Sequence, residues 1–285
     1  MKILKLAFLN KYQGKVNRGA ETFVKEVSQR LSKYYQVDVI SDINYLDLLR
    51  NKYDLIIPTN GRFQVVITRL ITWLTGGKMI VSGQSGMGWD DRVNLYCLPN
   101  YFVPISPHAL KWSKNVNPFV KSIYIPNGVD TNKFKPEGEK IGVDLEKPII
   151  LCVGALTKAK RIDLVIKAVS KIGRASLLIV GMGEEEKNLR SLGDRLLKGR
   201  FEIKSFPYER MPEVYRAADL FTLVSEPYHS FENVLVEAMA TGLPVVANSD
   251  TIRREIVGDG GLLVGPTNID EYARAIKKAL ETNWG

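Results

Sequence analysis

The chain holds few of the residues that carry redox or nucleophilic chemistry: two cysteines and two histidines in 285 residues. Cys152 sits inside the apolar run IILCVG and Cys97 follows a tyrosine in NLYCLP, so no disulfide framework is present and a reducing compartment is expected. Long hydrophobic runs are missing as well. Nothing approaches the roughly 18 uncharged apolar residues of a membrane span. The opening MKILKLAFLNKY has lysines and a short apolar stretch but no small-residue cleavage site, so it reads as a first β-strand rather than a secretory signal. A cytoplasmic protein is expected. Acidic residues are scarce in one half only. Up to Lys140 there are 20 Lys and Arg against 11 Asp and Glu, and beyond it 20 against 20, so the whole net charge of +9 lies in the N-terminal half. A solvated basic surface accounts for this, and so does a half that meets something anionic, such as a phospholipid surface.

What is present is ordinary globular material, 45% hydrophobic and 25% charged, and long enough for two domains. Strand-like runs alternate with helical ones: LKLAFL, AETFVKEVSQRLSKY, VDVIS, DLIIPT, KMIVSG, YFVPIS, SIYIPN. After the polar stretch KPEGEKIGVDLEKP the pattern restarts with PIILCVG, IDLVIKAVSKI, ASLLIVG, EEEKNLRSLGDRLL, FEIKSF, LFTLVS and LPVVAN, and closes on DEYARAIKKALE. Alternation of this kind predicts parallel sheets with helices on both faces. Two such blocks predict an α/β protein of two Rossmann-like domains facing each other across a cleft, over residues 1–136 and 137–285. Ligands in such sheets bind outside the carboxyl ends of the strands.

HSFENVLVEAMATGLPVVAN, residues 229–248, carries the sharpest signal. Phe231, Val234, Leu235 and Ala238 share one face of a helix that starts near Ser230. Thr241-Gly242 stops it, Pro244 prevents a restart, and Val245-Val246-Ala247 reads as a buried strand. Glu237 then lies on a helix pressed against a sheet, where an unpaired charge is costly and a hydrogen-bonded partner is required. His229 and Glu237 are about 12 Å apart along the axis at helical rise. A phosphate at the helix start and vicinal hydroxyls on Glu237 would belong to one elongated ligand.

Two further strand ends are candidates. In VGALTKAKRIDLVIKAV, Lys158, Lys160 and Arg161 cluster between a strand and a helix N-terminus, which suits a phosphate or else forms a solvated basic loop. In LLIVGMGEEEKNL, Gly181 and Gly183 mark a tight turn. A third fingerprint glycine is absent there, since Glu186 holds its place.

Seven segments together resemble the retaining glycosyltransferases of family 4, with the GT-B fold. They are NRGAETFVKEV, IPNGVDTNKFKP, VGALTKAKRIDLVIKA, IVGMGEEEKNL, MPEVYRAADLFTLVS, HSFENVLVEAMATGLPVVAN and EIVGDGGLLVGPTN, in the family's order. The resemblance implies transfer of a sugar from a nucleoside-diphosphate sugar to a saccharide or lipid-linked acceptor, with retention of configuration. It implies neither metal nor cofactor, because positive side chains and helix N-termini stabilise the leaving diphosphate. It assigns Lys160, Arg161, Gly19 and the backbone at Val234 and Leu235 to the donor phosphates, and Glu237 to the ribose. Gly181, Gly183, Phe206 and Tyr208 fall near the nucleotide.

Three positions depart from the family pattern. His229 replaces the first glutamate of a pair separated by seven residues, which normally contacts the donor sugar, and Glu226 and Glu232 do not keep that spacing. His229 is the one candidate for a catalytic side chain. Ala155 stands where many members have an arginine. No histidine marks the reacting centre of the N-terminal half, where Gln84, Ser85, Asp90 and Asp91 are the polar groups on the acceptor side. These departures keep open a non-catalytic GT-B subunit that binds nucleotide or sugar. A nicotinamide oxidoreductase is opposed by LAFLNKYQGKVNRGAE, which lacks the glycine fingerprint. A nucleic-acid partner would leave the C-terminal pattern unexplained. VVITRLITWLTGGK (65–78) reads either as a helix buried against the first sheet or as an interfacial helix on an anionic membrane.

Overall fold

A computed structural model of the chain describes residues 3–15, 19–84, 87–226 and 231–284. His229 and Ser85 therefore lie outside the described residues. Two compact units divide it, Met1–Asn127 and Gly128–Gly285. The expected boundary after Pro136 falls inside the second unit. The cause is Phe134, which is fully buried there with its ring 5.9 Å from those of Tyr208 and Tyr215.

The first unit is built on strands β1 (Lys5–Leu9), β2 (Gln36–Ile40), β3 (Leu55–Pro58), β4 (Lys78–Gly83) and β5 (Tyr101–Pro104). They form one parallel sheet in the order β2-β1-β3-β4-β5. Helices α1 (Gly19–Leu31), α2 (Tyr45–Asn51), α3 (Arg62–Thr75), α4 (Trp89–Tyr96) and α5 (Pro107–Val116) connect or follow them. The start of α5 is written in the sequence: Ser106 accepts from the Ala109 amide and Pro107 takes the first helical position. His108 on that first turn is exposed, as expected. SIYIPN, expected as a strand, is not one. It runs along β5 with one bridge at Ser122 and backbone bonds from Ile123 and Ile125 to the Phe102 and Pro104 carbonyls, but Ile123, Tyr124 and Ile125 stay largely exposed, and Pro126 can donate nothing to extend a ladder.

The second unit is built on β6 (Ile149–Val153), β7 (Ser176–Val180), β8 (Phe201–Lys204), β9 (Leu220–Leu223), β10 (Val245–Asn248) and β11 (Gly261–Val264). They form a six-stranded parallel sheet in the order β11-β10-β9-β6-β7-β8. Helices α6 (Ile162–Ser170), α7 (Glu186–Leu197), α8 (Met211–Arg216), α9 (Asn233–Ala240), α10 (Thr251–Val257) and α11 (Ile269–Glu281) cover it. β6, β7, β9 and β10 are buried along their whole length, the mark of a sheet covered on both faces. The chain winds outward from β6 in one direction through β7 and β8, then returns beside β6 at β9 and winds the other way. The carboxyl ends of β6 and β9 thus flank a topological switch point. β1 and β3 flank the corresponding point of the first sheet.

Candidate functional site

At the switch point of the second sheet the loops after β6 and β9 are tied by a backbone bond, Glu226 N–H to the Ala159 carbonyl at 2.8 Å. Lys160 comes from the first loop. Its ammonium lies 2.8 and 3.0 Å from the two carboxylate oxygens of Glu232, which ends the second. Ser225 donates to Glu232 Oε1 at 2.6 Å, and the Arg253 guanidinium on α10 reaches the same oxygen at 3.0 Å. Burial pushes the Glu232 carboxyl up, but the Lys160 charge and hydrogen bond, the Ser225 hydrogen bond and the Arg253 charge bring it below its ordinary value. Arg253 is also held by Asp250, 3.3 Å away.

One and a half turns further along α9, Glu237 is buried at 7% exposure. Its partners are tyrosines rather than cations: Tyr215 donates to Oε2 at 2.7 Å, and Tyr208 gives a second hydrogen bond. Burial pushes Glu237 up to about 7 in spite of both bonds. Burial, followed by the Glu237 charge, carries the Tyr215 phenol well above its usual range. Between the two clusters lies Cys152 on β6, close enough to feel Lys160 and Glu232 and raised by burial to about 12. It is a core thiol, and Cys97 is also free.

The other expected residues distribute unevenly. α9 begins at Asn233, not near Ser230, because Glu232 in extended backbone precedes it. Leu235 is buried, and its amide is already engaged by the Glu232 carbonyl at 3.0 Å. Val234 is half-buried against the core. Arg161 adopts a left-handed conformation (φ 49°) just before α6, and its charge acts on the buried Tyr272 of α11. Phe206 is half-buried beneath the Arg210 guanidinium, 5.9 Å from the ring centre. Gly181 and Gly183 meet the loop after β6: a Cβ on Gly181 would lie 1.9 Å from the Gly154 carbonyl oxygen, and one on Gly183 2.3 Å from that of Leu156. Close approach of two strand-end loops accounts for both glycines. Ala155 is exposed on the same loop as Lys160.

In the first unit a cavity of about 470 Å³ opens at the carboxyl ends of β1, β2 and β3, lined by Lys11, Lys15, Asp42, Asn60 and Arg62 among others. None of Gln84, Asp90 and Asp91 lines it, because they follow β4 instead. Gln84 exchanges hydrogen bonds with Asn127 at 3.0 Å, and Asp90 pairs with Arg62. Asp91 is buried beside Asn94, and burial pushes it up to about 7. Gly19 is the first residue of α1. A larger groove, about 1100 Å³, lies at the opposite, amino-terminal edge of the second sheet, around Pro148, Ala175 and Pro244, away from both clusters.

Glu232, Arg253, Ser225 and Tyr215 are the residues that sequence reasoning missed. Only Glu232 had a signal, as an acid beside the expected helix start. Arg253 lies in TIRREIV, where nothing distinguishes it from a surface arginine.

Two parallel-sheet α/β units, with their polar side chains gathered at a switch point, define the GT-B fold. Residues 134–283, more than half of the chain, match the family of glycosyl transferases group 1, and the chain belongs to that family. It is 28% identical over 177 residues to the GDP-mannose-dependent monoacylated alpha-(1-6)-phosphatidylinositol monomannoside mannosyltransferase of Corynebacterium glutamicum, covering 55% of this chain and 46% of that protein. It is 33% identical over 175 residues to the D-inositol 3-phosphate glycosyltransferase of Mycobacterium marinum, covering 55% and 37%. The chain thus matches less than half the length of these relatives. Among solved structures, Anabaena HepE in complex with UDP-glucose superposes with a TM-score of 0.77 at 20% identity, over 98% of this chain and 90% of that one. Sucrose-phosphate synthase from Thermosynechococcus elongatus gives 0.78 at 18%, with the same coverage. These likenesses concern the fold.

Proposed function

We propose that the chain transfers a sugar from a nucleoside-diphosphate sugar to an acceptor held by the basic first unit. The observation that carries this reading is the pairing of two buried carboxylate clusters at one switch point. Lys160 stands where a diphosphate needs a cation, and Glu237, held by hydroxyl donors instead of a cation, stands where vicinal ribose hydroxyls need an acceptor. Relatives that use GDP-mannose and a fold neighbour that binds UDP-glucose support the donor class. Retention, metal independence and a role for His229 at the donor sugar remain with the family resemblance. On that reading the acceptor attacks from the face the leaving phosphate departs, and the phosphate helps take its proton. Positive groups such as Lys160 offset the diphosphate charge in place of a metal ion.

An acceptor at an anionic membrane surface, on the cytoplasmic face, is favoured by α3. The helix packs Val65, Thr68, Ile71 and Thr72 inward and leaves Phe63, Val66, Leu70, Trp73 and Leu74 along one exposed stripe. With 17 Lys and Arg against 8 Asp and Glu, the unit that carries it has the entire net charge of +9. An apolar stripe on a basic body is what an interfacial helix presents to acidic lipid.

Calorimetry with UDP-, GDP-, ADP- and dTDP-sugars tests the donor. One of them should bind, Glu237→Ala should weaken it, and Lys160→Ala should weaken diphosphates more than nucleosides. NMR of the product anomer then decides retention. Binding without transfer or slow donor hydrolysis would make the chain a binding subunit, and equal donor affinity in both variants would misplace the site.

A further inference from the structure

We infer that Glu232 is a built-in counter-anion of Lys160, which a donor diphosphate has to displace, and that it thereby sets how tightly the site holds nucleoside diphosphates. This rests on the donor site proposed above. Glu232 precedes α9 in extended backbone (φ −88°, ψ 91°), the position from which Ser, Thr, Asp or Asn ordinarily caps a helix. It makes no such cap. Its carboxylate turns to Lys160, Ser225 and Arg253 instead, and Oε1 alone takes contacts from all three.

The two cations on this carboxylate differ in freedom. Arg253 is 1% exposed and fixed by Asp250, whose side chain also accepts from the Arg253 amide at 2.9 Å. The Lys160 side chain is 24% exposed on a flexible four-carbon stem. Lys160 is thus the member able to leave. Lys160, Arg253, Glu232 and Asp250 sum to zero charge. An incoming diphosphate therefore meets a neutral cluster and recovers Lys160 only by breaking a two-oxygen ion pair. The same competition favours release of the nucleoside diphosphate once the sugar has gone, because the carboxylate is there to take the lysine back.

Glu232→Gln removes the competitor, keeps the shape and leaves Lys160 in place. Calorimetry with UDP, GDP and ADP, the matching nucleosides and inorganic pyrophosphate compares wild type with Glu232→Gln, Lys160→Met and the double variant. Glu232→Gln is expected to bind the preferred diphosphate and pyrophosphate about tenfold more tightly and the nucleoside unchanged, a gain that disappears in the Lys160→Met background. Should Glu232→Gln fold poorly, Glu232→Asp keeps the charge but shortens the reach, and a smaller gain for diphosphates is expected. A loss of diphosphate affinity in Glu232→Gln equal to that in Lys160→Met overturns the inference, since Glu232 would then only hold the lysine in position. Unchanged affinity overturns it too. If no nucleotide binds any of the four proteins, the donor reading fails, and pyrophosphate alone decides whether Glu232 competes for Lys160.

Discussion

The Tyr215 hydroxyl donates a 2.7 Å hydrogen bond to Glu237 Oε2 in the interior of the second unit, with no cation on that carboxylate among its described contacts. A carboxylate served by hydroxyls alone gains too little to offset burial, which is why Glu237 is pushed up to about 7.

That shift makes stability depend on pH. The folded-state value lies above the unfolded one, so the contribution of Glu237 is complete below the ordinary glutamate range and is lost as pH rises through about 7. Two and a half pH units correspond to an upper bound of about 3 kcal/mol. Glu237→Gln removes the titration, so its stability relative to wild type should improve steadily between pH 5 and pH 8 in urea unfolding. Asp91, also pushed up to about 7, is common to both proteins and cancels. Parallel pH profiles would show that Glu237 is not held as described.

Donor binding should feel the same proton. Vicinal hydroxyls donate to the ionised carboxylate, so affinity for a nucleotide-sugar should rise several-fold from pH 6 to pH 8, in step with the ionised fraction of a group near 7. Tyr215→Phe removes one donor to the carboxylate and should move the midpoint upward while costing about 1 kcal/mol of stability. An affinity flat across this range in wild type would remove Glu237 from the ribose.

The glycines give a purely steric test. Gly181→Ala and Gly183→Ala drive a methyl group into backbone carbonyls of the neighbouring loop and should each cost at least about 3 kcal/mol or prevent folding. Gly173→Ala, with no atom within 4 Å of the added carbon, should stay within about 0.5 kcal/mol. Thermal unfolding separates the two. A mild effect at Gly181 would mean the loops after β6 and β7 are not in contact.

Period and punctuation were enough to read most of the fold. The run IILCV, bounded by Pro148 and Gly154, and the run SLLIV, ended by Gly181, became fully buried strands, and the thiol in IILCVG proved to be core. SIYIPN misled because its apolar residues lie exposed at an edge where proline ends the pairing. At the site, Lys160 and Glu237 were legible because a basic loop and a buried acid each break a local rule. Their partners were not. Arg253 follows β10, and only the strand order β10-β9-β6 brings the end of that strand beside the loop of Lys160, while Tyr215 lies on α8, between β8 and β9. No local pattern encodes that order. For α3, the reading as a helix buried against the first sheet holds for its inner face, and the exposed apolar stripe on the outer face is what leads to the membrane proposal.

The outer face of α3 supplies the last test. Trp73, 60% exposed beside the Arg69 guanidinium, and Leu74, 78% exposed, should insert into an acidic bilayer surface. Replacing both with serine should leave folding stability within about 0.5 kcal/mol, since neither is buried. Co-sedimentation with vesicles rich in an anionic phospholipid should fall tenfold or more, about 1.4 kcal/mol. Wild-type binding should weaken with salt and be slight on zwitterionic vesicles, because the basic unit supplies the long-range attraction. A second copy of the chain is the other candidate for this stripe, but it would bring a second unit of charge +9 against the first. A dimer in light scattering that Trp73→Ser dissolves, with no vesicle binding at low salt, would assign the stripe to self-association and take the membrane out of the proposal.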